Sequence, residues 1–509
     1  MTGDINFFAG DDTFVLEGSM SSINGIVAGQ AGNDTAILGG ILDADNLVLF
    51  ETNTLGTLFD LQVSGARSLT GTTIFDGNVT FGLGVDTLAV DGDVTFESGS
   101  VITVLTPLDE ALLGQTVAVV TETGTFTDNG ATINMVDDDL LIDYTPIVGS
   151  LSVLIGLVDP LTTSGDPNVV AISNAVQNGI VAGSLSAGNF AALNALDQAG
   201  YQTALLDALP SLSEGPGREI FETSSASSQA LDSHLAGEGS SVWGQFIIRG
   251  AEQDALSLSA SGYEADELIF TIGGDFAVTE GAKVGVLASY SDIDIDDGAA
   301  NSTSENLQVE SIKLGLYTAV DLFDRGFFNA EVAYLTGDVE TARSGLLGPI
   351  TSGFDFDGIF ARATLGYDLL PDENVWLTPS IGVNAANIKF DDTTEAGGFG
   401  FTVERGDAEF IELRGGIELG AQMSEGVDAF VKGTVIHDTV DTVRSFRLSS
   451  TQLSTFFVDL PLREQDRFEL AAGANIDVSE NFSIEIGYQG DFNEGYSGHS
   501  GRATLRIGF

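Results

Sequence analysis

From Val242 to Phe509, apolar and polar positions alternate with a period of two. In the last segment Ala503, Leu505, Ile507 and Phe509 fall on one face, and Arg502, Thr504, Arg506 and Gly508 on the other. The segment before it repeats the pattern, with Phe482, Ile484, Ile486 and Tyr488 set against Ser483, Glu485, Gly487 and Gln489. Such alternation predicts β-strands with one apolar face. Twelve are predicted, beginning near Val242, Glu264, Ala282, Asn306, Phe327, Phe354, Val375, Gly400, Val427, Arg467, Phe482 and Gly501. Their connections alternate in length. Short turns fall at Thr279–Ala282, Asp321–Gly326, Leu370–Asn374, Gln422–Gly426 and Ser479–Asn481. Long polar loops fall at Ala251–Tyr263, Asp292–Glu305, Asp338–Gly353, Asp391–Phe399, Asp438–Asp466 and Phe492–Ser500.

The rest of the chain reads differently. Residues 1–158 carry short apolar runs (Thr13–Leu16, Thr35–Leu38, Leu47–Phe50) between Gly/Asp/Asn turns. Gly10-Asp11-Asp12-Thr13, Gly32-Asn33-Asp34-Thr35 and Gly84-Val85-Asp86-Thr87 share one form, which suits the corners of a parallel β-helix. Within residues 159–240 the spacing becomes helical, at Val169, Ile172, Val176 and Ile180, then at Phe190, Leu193, Leu196, Tyr201, Leu205 and Leu209. Pro210 and Gly215-Pro216-Gly217 break that pattern, and a Ser/Ala-rich helix is expected over 218–236. The predicted segments are therefore 1–158, 159–240 and 241–509.

An even number of alternating strands, with short turns at one rim and long loops at the other, is the pattern of a closed membrane barrel. Hydrocarbon offers no partner to an open sheet edge. The polar face carries Lys313, Arg362, Lys432, Arg502 and Arg506, and a base costs about 2–4 kcal/mol at the bilayer midplane but little in a wet lumen. A soluble sandwich also alternates, but its apolar faces meet in one internal core. The expected fold class is all-β: a short parallel β-helix followed by a 12-stranded antiparallel transmembrane β-barrel. Trp243 and Trp376 open the first and seventh strands, and both are expected in one interfacial aromatic belt.

Composition sharpens this picture. Acids outnumber bases 75 to 18, a net charge of −57, which excludes nucleic acid as a partner. Before Ser241 the only bases are Arg67 and Arg218. There is no cysteine, so disulfides and thiolate chemistry are excluded. His234, His437 and His499 lie far apart, so no histidine metal cluster is expected. No run of 18 apolar residues predicts a membrane helix, and the most apolar stretch, Ile147–Val158, is too short. No signal peptide is visible: Met1-Thr2-Gly3-Asp4 lacks a basic region, and the first base is Arg67. The expectation is either a chain that is not exported or one whose leader lies upstream.

The C-terminal 270 or so residues resemble the autotransporter β-domain, the translocator of type V secretion. The resemblance is carried by Val242-Trp243-Gly244-Gln245, Ile272-Gly273-Gly274-Asp275-Phe276, Val284-Gly285-Val286-Leu287-Ala288, Gly366-Tyr367 and the terminal Arg506-Ile507-Gly508-Phe509. Ala195-Leu196-Asp197 and Tyr201-Gln202-Thr203-Ala204-Leu205 resemble the stretch that precedes such barrels. The resemblance implies an outer-membrane barrel, monomeric, that displays its own N-terminal passenger at the cell surface. It also implies a helix through the lumen, and about 19 residues at 1.5 Å rise span roughly the 30 Å of hydrocarbon. Glu219, Glu222 and Asp232 of that helix are expected to meet lumenal bases. The implied partners are outer-membrane lipid, the barrel-assembly machinery and periplasmic chaperones; no passenger ligand is implied. Some members cut themselves at an Asn in the pore helix, but no Asn occurs between Asn194 and Asn301. Two other functions stay open: an adhesin with the barrel as anchor, and a passive porin-like channel.

No enzyme site, metal site or cofactor is expected. Gly495-Tyr496-Ser497-Gly498-His499 approaches a nucleophile elbow, but has His in place of the last Gly and lies between strands. Gly29–Ile37 partly matches a calcium-binding nonapeptide with no adjacent repeat, and turn chemistry explains its Asp and Gly. Asp292, Asp294, Asp296, Asp297 and Glu305 put five acids in one predicted loop, read as a solvated surface.

Overall fold

The computed structural model describes residues 5–16, 26–42, 46–48, 50–57, 60–106, 112–137, 139–162, 164–210, 215–229, 231, 239–298, 305–323, 325–370, 374–440, 444–461 and 464–509. Two compact bodies share the chain. One comprises Met1–Pro160 with Ala187–Ala199, the other Leu161–Ser186 with Gly200–Phe509.

The first body is a parallel β-helix. Short strands stack coil upon coil into three all-parallel sheets, for instance Thr13–Leu16, Thr35–Leu38, Thr52–Leu55, Thr72–Phe75, Val94–Phe96 and Phe126–Asp128 in one of them. Alternation sends Leu38, Leu55, Phe75 and Phe96 inward, where the Phe75, Phe96 and Phe126 rings stack edge-on at 4.5 and 4.9 Å. The repeated Asp turns tie neighbouring coils together. Asp34 accepts the Asp12 N–H at 2.8 Å, its own N–H meets Glu51 at 2.7 Å, and Asp86 accepts the N–H groups of Gly65 and Gly82 at 2.6 and 2.7 Å. Asp86→Ala strands two backbone donors in the turn and is expected to cost about 1–3 kcal/mol. Amide exchange should quicken at Gly65 and Gly82 first; unchanged protection there would show that the carboxylate does not hold the turn. An antiparallel sheet of Thr116–Ala118, Ser152–Leu157 and Ile142–Ile147 closes the coil stack, and Leu141 donates to the Asn194 side chain at 2.9 Å.

The second body holds a closed barrel of twelve strands: β1 (Ser241–Gln253), β2 (Gly262–Thr279), β3 (Ala282–Gly298), β4 (Asn306–Leu322), β5 (Gly326–Gly345), β6 (Gly348–Tyr367), β7 (Val375–Phe390), β8 (Asp407–Ser424), β9 (Val427–Asp438), β10 (Asp466–Ser479), β11 (Phe482–Asn493) and β12 (Tyr496–Gly508). Neighbours pair antiparallel, and β1 closes on β12 from Ser241↔Gly508 to Gln253↔Tyr496. The alternation sorts the two faces as expected. Leu316 is 62% and Ile381 65% exposed on the outside, whereas Lys313 is 2% exposed within.

Several boundaries differ from the sequence reading. The eighth strand begins at Asp407, not Gly400, and the expected loops at 338–353 and 492–500 shrink to the tight turns β5–β6 and β11–β12. Asp292, Asp294 and Asp296 lie on β3, not in a loop. The cause is common to these cases. Beyond the lipid the outward positions turn polar and read as loop, yet the inward ones stay apolar (Ile293, Ile295, Val339, Phe354, Phe356), so the strands run on around a core. The two longest connections fold as well: Thr393–Thr394, Thr402–Glu404, Arg444–Ser449 and Phe456–Leu460 make a four-stranded sheet at the long-loop rim.

Among the described residues, four helices precede the barrel: α1 (Pro167–Ala182), α2 (Ala187–Asn194), α3 (Gln198–Ala208) and α4 (Gly215–Ser227). Asp166 caps α1 and Gly183 ends it in the left-handed conformation. α1 seals the edge of the rim sheet. The Asn168 amide accepts the Asp459 N–H at 2.7 Å and donates to its carbonyl at 2.8 Å, as a paired strand would. α4 starts at Gly215, so Pro216 opens the helix instead of breaking it, as the missing N–H of a first-turn Pro permits. Residues 230 and 232–238 lie outside the described residues, and with them Asp232, expected to meet a lumenal base, and His234.

Candidate functional site

α4 lies inside the barrel, and every residue from Gly217 to Ser227 is buried. Its Ser, Thr and Ala positions keep it slim enough for the lumen, while its few large side chains face specific wall groups. At its start Arg218 reaches Glu412 at 2.8 Å, Asp438 at 3.1 Å and Glu222 at 2.6 Å, and Glu222 also meets Arg467 at 2.8 Å. The next residue, Glu219, accepts the Tyr263 hydroxyl at 2.6 Å and pairs with Arg249, which also binds Glu267. Thr223 donates to Glu267 at 2.7 Å. Phe221 stacks on Phe410 at 4.9 Å and leans on Phe360. Buried charges thus sit in a mesh of opposite charges and hydrogen bonds, the condition under which burial is tolerated.

Further along, Lys313 holds the helix by its carbonyl end. Its ammonium donates to the Ser224 carbonyl at 2.9 Å, to Ser227 at 3.0 Å and to Ser228 at 2.6 Å, and pairs with Glu331 at 2.7 Å. Asn384 donates to Ser225 at 2.9 Å, and Arg502 to Gln229 at 3.0 Å. Leu231 then packs with Trp243, Leu287 and Tyr317 near the short-turn rim. The chain therefore threads from the long-loop rim, where Asp438 ends β9, to the short-turn rim, where β1 begins.

The filling is uneven. Around Phe221 the lumen is packed solid by Ile293, Phe356, Phe360 and Phe410. Beside Ser225 and Gln229 a cavity of about 670 Å³ opens, bordered by Arg362, Arg414, Lys432 and Trp376. Outside the membrane, at the rim, Arg405 lies 3.8 Å over the Phe354 ring, and burial pushes its guanidinium down to about 10.

The structure places Glu219 and Glu222 against bases, as expected. Their partners are Arg249, Arg218 and Arg467, whereas Lys313 and Arg502 hold helix Ser and Gln groups, Arg362 and Lys432 border the lumenal cavity, and Arg506 lies across the ladder from Trp243. Arg249, Glu267, Glu412 and Arg467 were missed. Glu412 between Ile411 and Leu413 shows the available signal: a charge between two outward apolar residues must face the lumen.

The two tryptophans correct the belt expectation. Both point inward. Trp243 donates to the Tyr317 hydroxyl and Trp376 to Glu418, each at 2.9 Å. Each indole lies over a glycine directly across the ladder, Trp243 over Gly273 and Trp376 over Gly420, where an added Cβ would come within 2.4 and 1.9 Å of the ring. Tyr317 over Gly285, Phe327 over Gly366 and Phe430 over Gly473 repeat the arrangement.

Residues 242–489 match the Autotransporter beta-domain family. No individually curated protein matches the chain. Similar solved structures are the translocator domain of autotransporter NalP from Neisseria meningitidis, the transport unit of the autotransporter AIDA-I from Escherichia coli and the beta domain of the Bordetella autotransporter BrkA. The first shares 16% identity, covering 58% of this chain and 97% of that one with a TM-score of 0.49. The second shares 16%, covering 58% and 99% with a TM-score of 0.44, and the third 14%, covering 53% and 100% with a TM-score of 0.42. By its family match and its closed twelve-stranded barrel, the C-terminal region of this chain is an autotransporter β-domain, a barrel of the outer membrane.

Proposed function

We propose that the barrel translocates the N-terminal β-helix and holds it at the cell surface. One observation carries the reading: α4 occupies the lumen and joins β1 at the short-turn rim, so the chain ahead of it leaves by the long-loop rim. α1, docked on the rim sheet through Asn168 and Asp459, supports the same exit. A passive channel fits less well, because Phe221 and its neighbours fill the outer half of the pore. Insertion is proposed to use the cell's barrel-assembly machinery and periplasmic chaperones. The β-helix stays attached, since α4 offers no Asn for self-cleavage.

The chain contains no cysteine, so paired replacements report position without background. Ser225→Cys with Asn384→Cys should crosslink under mild oxidant in intact cells, and a protease added outside should remove a tag placed within residues 1–158. A tag that stays protected while the crosslink forms would refute surface display and leave the plugged barrel intact. Release of the N-terminal body into the medium would refute its retention.

A further inference from the structure

The four-stranded sheet at the long-loop rim sits over the place where the chain leaves the lumen. Arg444, Phe446 and Leu460 of this sheet border one small space of about 30 Å³ together with Pro216 and Gly217 at the head of α4. The Arg444 guanidinium lies 5.7 Å over the Phe410 ring, on which Phe221 stacks. The face that carries Phe446 and Leu460 also carries Val403, Leu448 and Val458, and all five are buried. The two edges of the sheet are held by different parts of the chain. One edge hangs on the barrel. Thr351 of β6 and Ala396 exchange two backbone hydrogen bonds at 3.0 and 2.9 Å, and Thr393 donates to the Gly353 carbonyl at 2.9 Å. Gly397 and Gly398, left-handed at φ +96° and +54°, follow directly. The other edge, Phe456–Leu460, is held by α1, ahead of the barrel in sequence. Besides the two Asn168 bonds to the Asp459 backbone, Ser184 donates to the Gln452 carbonyl at 2.8 Å. Gly179 is pressed so close that an added Cβ would lie 2.5 Å from that carbonyl oxygen. α3 adds a further tie: Arg343, near the end of β5, donates to the Ala208 carbonyl at 3.1 Å and to Glu395, beside Ala396, at 2.9 Å.

We infer that the rim sheet is a lid, hinged on β6 and latched by α1, which stands open while the chain is in transit and shuts when transit ends. The inference rests on export through this rim. A moving stretch of chain cannot pass the mouth in its closed form, because Phe221, Phe356, Phe360 and Phe410 fill it. A small sheet with one bare edge does not hold shut by itself, since it needs a strand or a helix against that edge. α1 reaches the edge only from outside the barrel, so the latch engages on chain already exported. The glycine pair beside Ala396 gives the hinge its freedom. Once shut, the lid covers the head of α4 and closes the mouth.

Val458, fully buried on the lid, is replaced by Cys in the otherwise cysteine-free full-length chain. In intact cells a membrane-impermeant maleimide should label this thiol slowly once export is complete. Fusing a cysteine-free domain that folds in the periplasm ahead of the β-helix holds the chain in transit, and labelling there should be about tenfold faster or more. Asn168→Ala removes both bonds to Asp459 and should give about a tenfold gain without the fusion. Val181→Ala, at a position 79% exposed on α1, should change nothing. A protease-sensitive tag within residues 1–158 is read on the same cells. With the tag displayed in the unfused protein and protected in the fusion, equally slow labelling in both would overturn the lid. A tag protected in the unfused protein would instead sink export itself, and the lid with it. Unchanged labelling in Asn168→Ala would remove α1 as the latch. The fusion keeps Asn168, so its comparison with the unfused protein decides the matter even if the Asn168 variant does not fold.

Discussion

Arg218→Ala is expected to destabilise the filled barrel by about 3–5 kcal/mol, the range for breaking one partner out of a buried ion pair. Arg218 stands among Glu222, Glu412 and Asp438, so its removal leaves three buried or half-buried carboxylates with Arg467 and Arg414 to answer them. The measurement is the temperature at which the folded barrel converts to the slower-migrating unfolded band on an unheated gel. Replacing Arg218 and Glu412 together with Met and Gln should be milder than the single change, because a cation and an anion leave together while Arg467 keeps Glu222 and Arg414 keeps Glu469. A single variant as stable as the parent would mean that water or ions already neutralise this cluster. Planar-bilayer recording offers a second readout. Deleting residues 215–231 should raise conductance severalfold, whereas Arg218→Ala, with Phe221 still against Phe410, should raise it little.

Leu314→Arg should block assembly almost wholly. Leu314 faces outward near the middle of β4 at 55% exposure, where an arginine costs about 2–4 kcal/mol in hydrocarbon. Asn475→Arg, on the inward face of β10 beside the 670 Å³ cavity, has room and water and should assemble at close to the parental level. The check is the amount of heat-modifiable protein in the outer-membrane fraction. If both variants assemble equally, the outer face does not meet lipid, and the membrane reading fails with it.

Strand number and face were legible because each rests on local, period-two chemistry: Leu314, Leu316 and Ile312 on one side, Lys313 on the other. The ends of strands were not. At Val339 or Phe356 the inward residue remains apolar while its outward neighbours are acidic, and a linear pattern cannot tell a solvated strand from a loop. The start of α4 was misplaced because Pro216 reads as a breaker unless it is known to lie in the first turn. The lumenal site was half visible. Glu219 and Glu222 stood out on a Ser-rich helix, but their partners Arg249 and Arg467 lie on β1 and β10, far apart in sequence and only three strands apart once the ring closes. The inward Trp243 and Trp376 were illegible for a related reason: the glycines that receive them lie on the neighbouring strand.

Those ring-over-glycine contacts carry a consequence for how the staves find their alignment. Alternation forbids a slip by one residue, which would turn every side chain to the wrong side, but it is blind to a slip by two. Moving β1 two places along β2 would set the Trp243 indole against Thr271 or Asp275 instead of the bare backbone of Gly273. The same penalty recurs wherever Tyr317, Phe327, Trp376 or Phe430 meets its glycine, so the alignment is keyed notch by notch around the circumference.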